Sequence, residues 1–427
     1  MAGQTWDDHD RSGRYTCRDF GQNYLNSMDA KGNPVIFTNG DNDTFPLWYN
    51  QETEGVRTDA RVCNLSYLQT DWYIDQMRRP AYDSPSLPIS WTRLQYVTGT
   101  REGIPVQPDA LQQVIDYYKD SPEDLKQMLG DNPYELKNII RHWVLNDNPD
   151  LQIFPTDSIV VTVDKEAVKR SGMMIAADSI PDVMHISLKG KRAVYKSEMM
   201  MLEMISQANW ERPLYMSTTV GPDNYGHLGD NFVQEGLACR ITPFDTKQSG
   251  RTIDSERMYN NMMNKFKYGG LKENPDIYLD ETVIRMCYTH RRLFNQLAQQ
   301  LLKEGQKDKA LKVLQRAEEE IPGSIVPHEA FYGHSLELAD AWLALGHKAE
   351  AEKLLNAVGQ NAREYIEWYL SLNTQRLLQS SRECLMQIYI LNDIAKTWEP
   401  IDKKKAETYR MEVNNYASRC HQRGMSL

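Results

Sequence analysis

Asn33-Pro-Val-Ile-Phe-Thr-Asn-Gly-Asp-Asn-Asp-Thr-Phe-Pro-Leu-Trp-Tyr49 runs from an apolar strand through a polar turn into a helix. Val35, Ile36 and Phe37 predict a short strand buried on both faces, since β-branched and aromatic side chains fill a pleated surface. Thr38-Asn-Gly-Asp-Asn-Asp43 does not extend it, because Gly, Asn and Asp favour turns and bond to nearby backbone. Asp43 or Thr44 then caps a helix carrying Trp48 and Tyr49, with Pro46 near its first turn. Ligands of open α/β sheets gather at the carboxyl ends of the strands. Asn39, Asp41, Asn42, Asp43 and Thr44 are therefore the first candidate ligand-binding residues.

Toward the amino terminus, Trp6-Asp-Asp-His-Asp-Arg-Ser-Gly-Arg-Tyr15 is dense in charge. Asp7, Asp8 and His9 form a second candidate for a hard cation, set against a surface segment whose acids pair with Arg11, Arg14 and Arg18. Thr16 to Met28 reads as a helix with Phe20, Tyr24, Leu25 and Met28 on one face. Toward the carboxyl terminus, the helix from Leu47 to Glu54 stops at Gly55. A second strand spans Arg61 to Ser66, and a helix begins near Thr70. Two strand–turn–helix units in succession predict a mostly parallel, Rossmann-like α/β domain. Right-handed crossovers bring Asp71 to the same edge as Asp41 and Asp43. No GxGxxG or phosphate-loop motif is present.

Arg79 to Pro108 is proline-rich loop. Beyond it lie helices at Ala110–Tyr118, Pro122–Asp131 and Pro133–Leu145, and strands at Asp157–Val163 and Asp182–Leu188. A methionine-rich helix from Tyr195 to Asn209 reads as core packing. Arg212 to Thr219 repeats the opening theme of apolar strand and hydroxyl-rich end, which adds Ser217 and Thr218, with Thr219, to the candidate edge. The α/β domain is placed at residues 1–250, and the remainder, 251–427, reads as helical. Phe294, Leu297, Ala298, Leu301, Ala310, Leu314, Ala317 and Pro322 fit the alternating large and small positions of a tetratricopeptide-like hairpin. Leu338, Ala339, Trp342, Ala351 and Leu355 fit a second copy, offset by an insertion from Pro322 to Pro327. Such hairpins make protein-docking surfaces.

The 427 residues are 41% hydrophobic and 25% charged, ordinary for a globular protein of two or three domains. A net charge of −10 without a basic run argues against nucleic-acid binding. No apolar run reaches membrane-spanning length, and the start carries no basic-then-apolar signal sequence; Met1-Ala-Gly followed at once by Gln4-Thr-Trp-Asp-Asp8 reads as the start of an excised fragment. The six cysteines lie far apart with no CxxC spacing, and predict buried free thiols, although disulfides stay open.

Trp6 to Tyr15, Phe37-Thr-Asn-Gly-Asp-Asn-Asp-Thr-Phe-Pro-Leu-Trp48, Glu54 to Arg61 and Asn64-Leu-Ser66 together resemble the domain-of-unknown-function 2723 family, and Trp210 to Tyr215 with Gly236-Leu-Ala238 extend the likeness. The resemblance implies membrane proteins of Bacteroidetes and relatives, similar to the transmembrane protein O-mannosyltransferase of the GT-C type. It implies a catalytic acid on a loop between membrane helices and a soluble carboxy-terminal half outside the cytoplasmic membrane. This chain matches the soluble half alone, so no catalytic residue is carried over.

Three functions follow. The first is a periplasmic accessory domain of a membrane glycosyltransferase-like protein, working with its own N-terminal membrane domain and positioning a protein or peptide acceptor through the helical repeats. The second is a metal-dependent sugar-phosphate-binding or glycosyltransferase domain, in which Asp41 and Asp43 hold magnesium or manganese against a diphosphate. The third is a pure protein-interaction module whose polar turn is structural. Whether the chain is itself an enzyme is left open, with no GxSxG or HExxH to support hydrolysis.

Overall fold

The structure, a computed structural model, describes residues 11–175 and 180–425. Contacts divide it into two compact units, residues 18–267 and residues 268–425 with 11–17.

The first unit is built on five short strands: β1 (Val35–Thr38), β2 (Arg61–Asn64), β3 (Leu214–Ser217), β4 (Phe232–Gln234) and β5 (Ala238–Ile241), in the order β2-β1-β3-β5-β4. β1 pairs in parallel with β2 and β3, in the register Val35 opposite Arg61 and Leu214. β5 pairs antiparallel with β3 and with β4, so the sheet is mixed, not mostly parallel as the sequence rhythm predicts. The reason lies in the connections. Helix-containing crossovers allow parallel neighbours, whereas Glu235-Gly236-Leu237 turns the chain straight back. Gly236 has φ +150°, and a Cβ there would lie 2.5 Å from Ser27 Oγ, so the turn needs glycine.

Helices α1 (Thr16–Ser27), α2 (Asp41–Glu54), α3 (Asp71–Met77) and α4 (Lys196–Ala208) accompany the sheet. Every residue of β1, β2 and β3 is buried. Val35, Phe37, Leu214 and Met216 share one core with Met199, Met200, Met201 and Met204 of α4, which confirms the packing role of those methionines. α2 starts six residues earlier than the expected Leu47, at Asp41, so the second half of the polar turn is the helix's own first turn. Gly55 ends it in the left-handed conformation, as expected. The segment read as one helix over 133–145 is a short α-helix, Leu136–Ile139, widened into a π-helix, Ile140–Val144. Ser158–Thr162 and Val183–Ser187 pair as a separate antiparallel ribbon.

The second unit is helical: α5 (Glu281–Lys303), α6 (Lys307–Glu320), α7 (Ser335–Ala344), α8 (Lys348–Ser371), α9 (Ser381–Trp398) and α10 (Lys403–Gln422), with the short helix Thr374–Gln379 before α9. The apolar residues that mark the two hairpins, from Phe294 to Ala317 and from Leu338 to Leu355, are buried. The insertion between them is fixed by Arg291, itself buried, which donates to the carbonyls of Ile321, Val326 and Pro327. Cys63, Cys287, Cys384 and Cys420 are buried thiols, whereas Cys17 is exposed and Cys239 is half-buried. No helix of the described residues is long and apolar enough to cross a membrane.

Candidate functional site

The carboxyl ends of the three parallel strands carry Asn64 (β2), Thr38 (β1) and Ser217 (β3). Chain order reverses across β1, with β2 on one side and β3 on the other, which is the arrangement that places ligand crevices in open α/β sheets.

Two linked hydrogen-bond groups occupy this edge. In the first, Asp43 sits at the third position of α2 and is 3% exposed. One carboxylate oxygen accepts from Gly40 N at 2.9 Å. The other accepts from Asn39 N at 3.4 Å and from Thr219 Oγ1 at 2.8 Å. Thr219 in turn lies 2.7 Å from Ser217 Oγ and 3.2 Å from Tyr24 OH. Thr218 Oγ1 reaches the same phenol at 3.4 Å. Burial, with the Asp43 charge nearby, pushes the Tyr24 phenol up to about 12. In the second group, Asn64 donates to Thr44 Oγ1 at 2.9 Å and to Asn39 O at 3.3 Å. Thr44 donates to Thr38 Oγ1 at 2.8 Å, and Ser66 donates to Asn39 Oδ1 at 2.9 Å.

The structure thus brings together Asn39, Asp43, Thr44, Ser217 and Thr218 from the sequence reading. Asp41 and Asn42 lie exposed in the first turn of α2. Asp71 is held elsewhere, 3.6 Å from the Arg93 guanidinium and accepting from Thr98 N. Asp7, Asp8 and His9 lie outside the described residues. Tyr24, Thr38 and Asn64 join the cluster without having been picked out for it. Tyr24 is hidden in sequence because it falls on the apolar stripe of α1. Its signal is chemical, since a buried tyrosine hydroxyl needs a partner.

A divalent cation would need carboxylate oxygens free to face it. Asp43 already accepts three hydrogen bonds, two from the backbone that leads into α2 and one from Thr219 beyond β3. Among the described residues no three His, Cys, Asp or Glu side chains converge as metal ligands. The cluster's clearest chemical capacity is to lock the strand ends to α1 and α2.

A second buried network lies at the opposite, amino-terminal side of β3. Tyr215 OH donates to Glu235 and accepts from Asp29 N, while Arg240 and Arg257 bridge the Asp29 and Glu235 carboxylates. Burial pushes Glu235 up against the pull of the two arginines, whereas for Asp29 the arginines outweigh burial and hold its carboxyl below the usual range.

These features define a mixed α/β unit with a satisfied polar edge, followed by a helical unit. The family profile described as TMEM260-associated domain 2 matches residues 17–261, more than half of the chain. The chain belongs to the TMEM260-associated domain 2 family. Searches of curated proteins and of solved structures return no match.

Proposed function

We propose that this chain is the extracytoplasmic accessory portion of a membrane glycosyltransferase-like protein of the domain-of-unknown-function 2723 kind, and that it binds or positions a protein acceptor or partner. The family match carries this reading, since it links the chain by name to a transmembrane protein. Under it, the catalytic acid belongs to an N-terminal membrane domain, the α/β unit is a Rossmann-like support, and the location is the periplasm of a Bacteroidetes-like cell. The helical unit supplies the docking surface as tetratricopeptide-like hairpins. Its cavity of about 680 Å³ beside α8 supports that assignment, because exposed Tyr365 and Trp368 flank the polar Gln360, Asn361 and Glu364 there. Aromatic anchors ringed by polar groups are what protein interfaces favour.

The test is binding of the purified chain to the membrane domain of the same protein and to hydroxyl-bearing acceptor peptides. Trp368→Ala is expected to weaken at least one of these interactions tenfold or more with an unchanged melting temperature. Equal affinities in parent and variant for every partner overturn the docking assignment.

The competing reading, a divalent metal at Asp41 and Asp43 that holds a sugar phosphate, draws support from the exposure of Asp41 beside Asp43 at a strand-end edge. The three hydrogen bonds that engage Asp43 weigh against it.

A further inference from the structure

A cleft of about 550 Å³ opens at the edge strand β2, between α2 and α3. Its volume falls in the range of about 300–1,000 Å³ usual for small-molecule sites. Five of its thirteen lining residues are aromatic, which sets its chemistry apart from an aliphatic core. Trp48 and Tyr67 stand nearly parallel, with ring centroids 6.2 Å apart and planes 8° apart. Trp72 continues the series, 5.9 Å from Tyr67, and is 54% exposed. Tyr82 is also exposed and donates its hydroxyl to Glu52.

Polar groups stand around these faces without partners. Among the described residues, the indole N–H groups of Trp48 and Trp72 and the side-chain amide of Gln76 make no hydrogen bond within the protein. Arg61, 5% exposed, also lines the cleft. Its Nη2 donates to three backbone carbonyls, while Nε and Nη1 are buried beneath the surface and are not open to a guest. Trp72 and Gln76 are exposed and Trp48 is half-buried, so an oxygen-rich guest can take the place of water at these groups.

Flat aromatic faces rimmed by unpaired donors match one ligand class well. A pyranose ring presents a face of C–H groups, which sits on the negative face of an aromatic ring, and a rim of hydroxyls that accept and donate hydrogen bonds. A phosphate-bearing guest fits less well, because the Glu52 carboxylate stands at the rim and the chain's net charge is −10. We infer that the cleft lined by Trp48, Tyr67, Trp72 and Gln76 binds a neutral pyranose unit of a glycan. This goes beyond the accessory-domain reading and involves neither the Asp43 edge nor the helical unit.

The experiment is a titration of the full chain with glucose, mannose, galactose, N-acetylglucosamine and linear trisaccharides of each, to tens of millimolar. Tryptophan indole ¹H–¹⁵N signals are followed, assigned with Trp48→Phe and Trp72→Phe. Saturable shifts of the Trp48 and Trp72 signals are expected with at least one sugar. Trp72→Ala and Gln76→Ala should lower that affinity at least tenfold, with unchanged melting temperatures, and Trp368→Ala should leave it intact. Silence toward every sugar overturns the inference, as does equal binding by Trp72→Ala. So does a response confined to indole, taken as an apolar probe, or to inorganic phosphate. Because the docking test reads Trp368 with protein partners and this one reads Trp72 with sugars, either reading fails separately from the other.

Discussion

Asp43 and Asp41 are two residues apart, yet their surroundings differ. Asp43 is buried and accepts three hydrogen bonds at the start of α2, whereas Asp41 faces solvent. Removing Asp43 breaks three part-buried hydrogen bonds, from Gly40 N, Asn39 N and Thr219 Oγ1, at a cost of about 1–3 kcal/mol. Asp43→Ala should therefore lower stability by that amount in urea unfolding, while Asp41→Ala should stay within about 0.5 kcal/mol of the parent. Tyr24 gives the same cluster a pH signature. Its folded value is about 12, against about 10 for a free phenol. The neutral phenol is favoured in the folded chain, so its contribution is fully present below about pH 10 and is lost as pH rises toward 12. The parent should lose roughly 2 kcal/mol more than Tyr24→Phe across that interval. Parallel alkaline unfolding curves for the two chains would remove Tyr24 from the account.

At the scale of the elements, α1 and α2 meet through a glycine. A Cβ on Gly21 would lie 2.3 Å from the Pro46 carbonyl oxygen and 2.6 Å from Asn50 Nδ2. Asn50 also donates to Arg18 O and Pro46 O, so neither helix has room to yield there. Gly21→Ala gains about 1 kcal/mol of helix propensity but forces the two backbones apart. A net loss of about 1–3 kcal/mol is expected from the melting transition, and a stabilised variant would contradict the close approach.

The strands were readable because Val35–Phe37 and Leu214–Met216 are apolar runs that stop at turn residues, and Gly55 marks a helix end by a backbone geometry that glycine favours. The start of α2 was not, because Asp41 and Asn42 read as turn formers. Acidic side chains are also stabilised at helix amino termini, and sequence does not separate the two roles. The π-helical turn at Ile140–Val144 keeps the apolar pattern of an α-helix, so periodicity misses it. Asp71 was expected at the edge from topology alone, but its side chain is claimed by Arg93, which opens the short helix Arg93–Tyr96, and by Thr98 just beyond it, a pairing that no periodic pattern encodes.

At the scale of the molecule, a mixed α/β unit of residues 18–267 and a helical unit from 268 onward divide the work in the proposed account. The polar edge holds the sheet to its helices, and recognition falls to aromatic surfaces. The measurement that bears most directly on this is calorimetric titration of the purified chain with manganese, then with sugar phosphates in its presence, then with acceptor peptides. The account predicts no heat from manganese or sugar phosphates at the Asp41 and Asp43 edge, and saturable heat from a peptide. Metal-dependent sugar-phosphate binding that disappears in the Asp41→Asn, Asp43→Asn double variant would contradict it, and would make the strand-end edge a ligand site.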